Sequence, residues 1–156
     1  MPTQQKKKQI VVATSGGFDP IHIGHVRLLQ EAKKLGDQLV VILNNDNWLR
    51  NKKGYVFMPE KERKEILLAI QVVDKVIITQ HKPHDKDMSV MHELKRICPA
   101  IFAKGGDTSP NAPNGDKEMP LCKQLGIRVI FGVGRGGKVQ SSSWLVEAAR
   151  KNRPKK

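Results

Sequence analysis

The sequence predicts an α/β protein: a doubly wound, Rossmann-like, mainly parallel five-stranded sheet with helices on both faces. Three observations carry that expectation. Five short runs rich in Val and Ile are continuously apolar, as strands covered on both faces require. Segments of helical periodicity separate them, the pattern of a parallel sheet with crossover helices. The first run leads straight into GGFDPIHIGH, Gly16 to His25, at the kind of strand-to-helix junction where such sheets gather ligands.

Taken in order, the strands are expected in IVVATS (10–15), QLVVIL (38–43), KVIIT (75–79), AIFAK (100–104) and RVIFG (128–132). The first helix is expected over Gly24 to Leu35, with Val26, Leu29, Ala32 and Leu35 on one stripe and Gly36 as its C-cap. Pro59 to Ile70 opens with Pro and Glu, as a first turn prefers, and carries Ile66, Leu67 and Ile70 inward. Lys86 to Cys98 offers Met91, Leu94 and Cys98 on one face and stops at Pro99. A last helix begins after Ser141-Ser142-Ser143, with Leu145, Ala148 and Ala149 turned inward. Gly105 to Met119, rich in Gly, Pro and Asn, reads as one long surface loop of the functional sort.

A chain of 156 residues fits one domain that buries its own core. We expect a basic disordered tail over 1–8, the folded domain over 9–150 and a second basic tail over 151–156. The net charge of +13 falls to +5 once the three lysines at one end and the five cations at the other are set aside. Such a body favours phosphate-bearing ligands without selecting among them. Cys98 and Cys122 form no CxxC pair and read as reduced thiols. With no secretory or bilayer-spanning apolar run, a soluble cytoplasmic protein is expected and no membrane partner.

Within GGFDPIHIGH, Gly16 and Gly17 allow close backbone approach to a ligand, and the helix start presents N–H groups with positive partial charge. His22 and His25, three apart, face an anion from one side. Two histidines flanked by glycines at this junction favour a functional site over a packed turn.

His22-Ile23-Gly24-His25 resembles the His-x-Gly-His signature of the nucleotidyltransferase superfamily, and within it the cytidylyltransferase-like group. The resemblance continues through LLQEAKKLGDQLVVILNND, Lys52-Lys53 before Gly54, and PEKERKEIL with Arg63. It extends to AKGGD (Ala103 to Asp107) and SSSWL (Ser141 to Leu145), nearly the whole chain. Glycerol-3-phosphate cytidylyltransferases and heptose-phosphate adenylyltransferases belong to that group. The Lys-Gly-Gly-Asp block is more similar to the heptose enzymes. FDPIH also resembles nicotinate-nucleotide and pantetheine-phosphate adenylyltransferases, whose downstream blocks match less well.

The resemblance implies an enzyme that joins a nucleoside triphosphate, ATP ahead of CTP, to a sugar or polyol phosphate and releases pyrophosphate. Catalysis of that kind is positioning and charge neutralisation, with no covalent intermediate. His22 and His25 would hold the triphosphate. Gly16, Gly17, Phe18 and Asp19 would cradle it. Lys52 or Lys53, together with Arg63, would supply mobile positive charge. Gly105, Gly106 and Asp107 would contribute to nucleotide binding. Ser141, Ser142 and Ser143 would bind the β- and γ-phosphates, a role compatible with ordinary N-capping. Asp46, Lys82 and His84 would meet the acceptor. Mg²⁺ is expected on the triphosphate; no carboxylate cage binds metal by itself, and Asp19 and Asp46 are the nearest aids. A homodimer is the expected assembly.

Other patterns carry less. GVGRGGK, Gly132 to Lys138, satisfies G-x-x-x-x-G-K, but Val139 stands where a P-loop needs Ser or Thr. Arg135 and Lys138 replace the charge of an Arg-Thr-Glu-Gly-like segment that relatives carry there. HKPHDKD is too irregular for a zinc signature. Trp48 reads as packing, and Gln71 stands where some cytidylyltransferases have arginine. Two other function classes compete. A nucleic-acid-binding module would use the basic tails and the His-Ile-Gly-His shared with class I aminoacyl-tRNA synthetases. Against it stand the missing Lys-Met-Ser-Lys-Ser loop and the scarcity of aromatics. A nucleotide-binding regulator without turnover would not need both histidines, the lysines and Arg63.

Overall fold

A computed structural model describes residues 5–106 and 115–154, with side chains of 115 and 116 left aside. Asp107 lies outside the described residues. Five strands form one sheet: β1 (Val11–Gly16), β2 (Gln38–Leu43), β3 (Lys75–Ile78), β4 (Ile101–Gly105) and β5 (Arg128–Val133). Every pairing is parallel and the order is β3-β2-β1-β4-β5. The strand order reverses between β1 and β4, so the crevice at their carboxyl ends is the site such a sheet offers a ligand.

The helices are α1 (Ile23–Lys33), α2 (Asp46–Lys53), α3 (Glu60–Leu68), α4 (Met91–Ile97), α5 (Gly115–Leu125) and α6 (Ser142–Lys151). Successive side chains of a strand point to opposite faces, and the core divides accordingly. Val12, Leu39, Val41 and Ala103 pack beneath α1 and α3 with Leu29, Ala32 and Leu67. Ala13, Ile42 and Phe102 pack on the other face with Leu94 of α4 and Leu121 and Cys122 of α5. The doubly wound expectation holds, and all five strands fall where the apolar runs are.

Several element-level expectations change. Gly36 is not a left-handed cap: the α1 C-cap is Lys34, in right-handed conformation. A Cβ at Gly36 would sit 2.7 Å from the Ile10 carbonyl oxygen and from Val12 Cγ2, so close approach of β1 demands the glycine. The helix expected from Lys86 starts only at Met91, and Cys98 ends it exposed, at φ 44°, instead of joining an inner face. On α3, Ile66 is exposed and Arg63 takes the buried position with Leu67. The expected long loop is shortened, because α5 starts at Gly115. Ala148 and Ala149 of α6 are exposed, not inward. Helix α2 was hidden by its brevity, although Asn45 caps its start through Trp48 N–H and Gly54 ends it at φ 82°.

Candidate functional site

At the carboxyl ends of β1, β4 and β5 opens a cleft of about 390 Å³, within the range of small-molecule sites. His22 and His25 line it from the start of α1, Lys52 and Lys53 from the end of α2, and Gly105 and Gly106 from the end of β4. The Gly134–Gln140 stretch and Ser141, Ser142 and Ser143 close the far side.

The histidine pair is built by the helix start itself. His22 is the N-cap of α1, and its Nδ1 accepts the Gly24 N–H at 3.0 Å. The His25 Nδ1 reaches back to accept the His22 N–H at 3.2 Å, a reciprocal cap with imidazoles in place of the usual side chains. The rings stack with centroids 3.8 Å apart, and Phe18 tilts against His25 at 4.7 Å. Because each Nδ1 accepts a hydrogen bond, each ring carries its proton on Nε2. Burial first, then the electrostatic influence of His22 and Lys53, pushes the His25 imidazole down from 6.5 to about 3. His25 is therefore a neutral donor near pH 7. The spacing acquires a steric reason too: a Cβ at Gly24 would lie 2.9 Å from His22 Cε1, so only glycine lets that ring fold back.

Both candidate lysines reach the cleft. Lys52 is exposed, its Nζ 4.8 Å from the Trp48 ring centroid. Lys53 is part-buried, with Nζ 3.5 Å from the Asp19 carbonyl oxygen. Burial lowers its ammonium pKa; Asp19 opposes that, while Lys52 and Arg63 add to it.

Other candidates are placed differently. Arg63 is not a mobile charge: its side chain is fully buried and lines no part of the cleft. Nε donates to Met58 O at 2.8 Å, Nη1 to Gly17 O at 2.8 Å and Asn44 O at 2.6 Å, and Nη2 to Asp46 Oδ1 at 2.7 Å. It clamps the ends of β1 and β2 to α2 and to the turn before α3. Asp19 is likewise a buried anchor, accepting Phe57 N–H at 2.7 Å and Met58 N–H at 2.6 Å. Gly16 and Gly17 also sit close to the core, where a Cβ would lie 3.1 Å from the Phe18 ring and 3.0 Å from Leu49 Cδ2. Phe18 itself is buried at φ 51°. Lys82 and His84 do not join the cleft. His84 borders a separate depression with Asn47 and Asn51, the His84 N–H donates to Asn51 Oδ1, and the Lys82 carbonyl accepts from Asn51 Nδ2.

Ser141 is the N-cap of α6, yet its hydroxyl does not cap the helix. It pairs instead with Ser143 Oγ at 2.8 Å, while Ser142 Oγ donates to Pro20 O at 2.8 Å and ties α6 to the β1–α1 turn. Arg135 and Lys138 line the cleft from the loop after β5, in which Gly134, Gly136 and Gly137 all have positive φ. Among the described residues no carboxylate lines the cleft, and Asp19 and Asp46 are engaged by Phe57 and Met58 N–H and by Arg63. Among the described residues no three His, Cys, Asp or Glu are grouped to hold a metal ion. His81, the nearest expectation of one, is spoken for by Thr79 Oγ1 at 2.9 Å and the Ser89 carbonyl at 3.0 Å. No helix among the described residues is long and apolar enough to cross a membrane.

Two imidazoles at the first βα turn and two lysines at the end of α2 thus line one cleft at the carboxyl edge of a parallel sheet. The family model described as cytidylyltransferase-like matches residues 13–147, and the chain belongs to that family of nucleotidyltransferases. It is 36% identical over 131 residues to a "Bifunctional protein HldE" of Syntrophotalea carbinolica, covering 83% of this chain and 25% of that protein. It is 40% identical over 126 residues to an "FAD synthase" of Thermococcus sibiricus, covering 80% of this chain and 81% of that one. The chain thus spans about a quarter of the HldE relative and most of the FAD synthase. The crystal structure of a lipopolysaccharide core biosynthesis protein from Thermoplasma volcanium superposes with a TM-score of 0.64 at 30% identity. That match covers 80% of this chain and 95% of that one.

Proposed function

We propose that the protein transfers a nucleoside monophosphate from a nucleoside triphosphate to a sugar or polyol phosphate, releasing pyrophosphate, with ATP preferred to CTP. The observation that carries this reading is the imidazole pair, Nε2–H on both rings, in a cleft that also gathers Lys52, Lys53 and the start of α6. Similarity to proteins named HldE and FAD synthase supports the preference for ATP.

An oxygen of the acceptor phosphate attacks the α-phosphorus, and the bond from that phosphorus to the bridging oxygen breaks. The electron pair leaves with pyrophosphate. A phosphate dianion is already a nucleophile, so no general base is required. The imidazole Nε2–H groups donate to the α-phosphate oxygens as charge accumulates there. Lys52 and Lys53 offset charge on the departing pyrophosphate. Ser141 to Ser143 and the α6 N-terminus receive the β- and γ-phosphates, with Arg135 and Lys138 beside them. Mg²⁺ would enter as the counter-ion of the nucleotide and not as a resident of the chain. Asp19 and Arg63 act on the reaction only by holding the turn and strand ends in place. By resemblance to the family we expect a homodimer in the cytoplasm.

Pyrophosphate release tests this directly. ATP or CTP, Mg²⁺ and a panel of heptose and glycerol phosphates should give turnover that stops when nucleotide, acceptor or Mg²⁺ is omitted. If no pair yields pyrophosphate and no Mg²⁺–nucleotide raises the melting temperature at millimolar concentration, the reading is wrong.

A further inference from the structure

Trp48, read from the sequence as a packing residue, is placed to do more. It is 8% exposed and lines no part of the cleft. Its indole Nε1–H donates to the Met88 carbonyl at 2.9 Å. The far edge of the ring lies at Gly17, where a Cβ would stand 3.5 Å from Cζ3. Pinned at both edges, the ring supports Lys52 on its face, with Nζ 4.8 Å from the centroid. Lys52 does line the cleft, and among the described residues no carboxylate pairs with it.

The segment 79–89, between β3 and α4, carries the rest of the support. Its His81 carbonyl accepts Asn45 Nδ2 at 2.9 Å and Asn47 Nδ2 at 3.0 Å. Asn51 Nδ2 donates to the Lys82 carbonyl at 3.0 Å, and Asn51 Oδ1 accepts the His84 N–H at 2.8 Å. Helix α2 has eight residues, too few to be stable by itself, so these bonds set where its last turn lies. That turn ends in Lys52 and Lys53. A lysine is a compact charge on a flexible stem, and fixing it on a phosphate costs rotamer freedom. An aromatic face reduces that cost by confining the ammonium near the cleft, and it leaves the charge available to an anion.

We propose that Trp48 is a positioning residue of the transfer reaction, a platform that presents Lys52 to the departing pyrophosphate. Trp48 touches neither nucleotide nor acceptor and acts through the lysine alone. The ammonium rests on the ring and passes from it to phosphate when the nucleotide binds. Met88 and the rest of the segment 79–89 keep the platform level with the cleft. This inference rests on the transfer reading above. It gives the β3–α4 segment a part in the reaction although none of its side chains lines the cleft.

The test is a double-mutant cycle of Trp48→Leu and Lys52→Met. It reads kcat and KM by pyrophosphate release with ATP, Mg²⁺ and the sugar phosphate that wild type turns over best. Trp48→Leu should lower kcat about tenfold with ATP KM within about threefold of wild type, because the misplaced charge matters most as the leaving group develops. In the Lys52→Met background the same change should alter kcat by less than about twofold. Trp48→Phe keeps a ring beneath the lysine, and its kcat should lie within about threefold of wild type. An equal loss on both backgrounds, or a Trp48→Phe variant no better than Trp48→Leu, overturns the platform and leaves the transfer reading standing. If Trp48→Leu does not fold, fluorescence decides. Trp144→Phe leaves Trp48 as the one indole of the chain. Saturating Mg²⁺ and ATP, with binding confirmed by calorimetry, should shift its emission, and Lys52→Met should abolish the shift. An unmoved emission, or a shift that survives Lys52→Met, overturns the proposal. A wild type that neither binds ATP nor releases pyrophosphate overturns both readings.

Discussion

Replacing Arg63 by methionine separates two accounts of that residue. In the fold it donates four hydrogen bonds, three to main-chain carbonyls and one to the Asp46 carboxylate, from a side chain with no solvent exposure. Removing one partner of a buried ion pair costs about 3–5 kcal/mol. Asp46 keeps 22% of its side-chain surface in water, which places its share near the low end. The three carbonyls lose a charged donor together, and such losses within one network do not add. A total of about 4 kcal/mol follows. For a chain of this length each kcal/mol moves the melting temperature by about 2–4 °C, so the midpoint should fall by roughly 10 °C. Arg63→Lys should fall nearly as far, because an ammonium does not reproduce the planar fork. Circular dichroism melts read both variants. A methionine variant that melts within about 2 °C of wild type while losing turnover would refute the clamp and restore Arg63 as a mobile charge in the cleft.

Other expectations follow from single groups. Gly24→Ala forces the His22 ring away from its cap, and turnover should drop at least about tenfold while the melting temperature shifts by only a few degrees. The depressed pKa of His25 sets a pH dependence of stability. Between pH 6.5 and about 3 the unfolded chain binds a proton there that the folded chain does not, so stability rises with pH across that window. Urea titrations of wild type and His25→Gln should differ by a slope approaching about 1.4 kcal/mol per pH unit, vanishing above pH 7; parallel curves would show His25 to be freely titrating. Lys53 has its pKa lowered by burial, so the alkaline limb of turnover should fall below the ordinary lysine value of 10.5. Lys53→Arg should move that limb upward, and an unmoved limb would exclude Lys53 as its source.

The sheet was legible because its signal is dense. Runs such as QLVVIL are apolar on both faces, and only a strand buried on both sides explains them. The histidine pair was legible for a related reason, since His22, Gly24 and His25 are close in sequence and their geometry is made within one helical turn. What stayed hidden depends on distant partners. Arg63 looked like an exposed cation on a charged helix, and nothing local announces that Gly17, Asn44, Met58 and Asp46 converge on it. Gly36 read as a cap because its need for glycine comes from Ile10 and Val12, some twenty-five residues away. The Lys104–Glu118 pair joins β4 to a helix that the sequence presented as loop. Lys82 and His84 had ligand-like chemistry, but the fold turns their loop toward α2 and away from the cleft.

The central claim is that two imidazoles, each with its Nδ1 engaged by a backbone N–H, donate Nε2–H to the oxygens of a phosphate undergoing substitution. His25→Gln probes it cleanly, since glutamine at that position preserves the acceptor for the His22 N–H and removes only the ring. Steady-state pyrophosphate release at saturating ATP, Mg²⁺ and sugar phosphate should fall about a hundredfold to a thousandfold with the fold intact. Release within twofold of wild type would contradict the account.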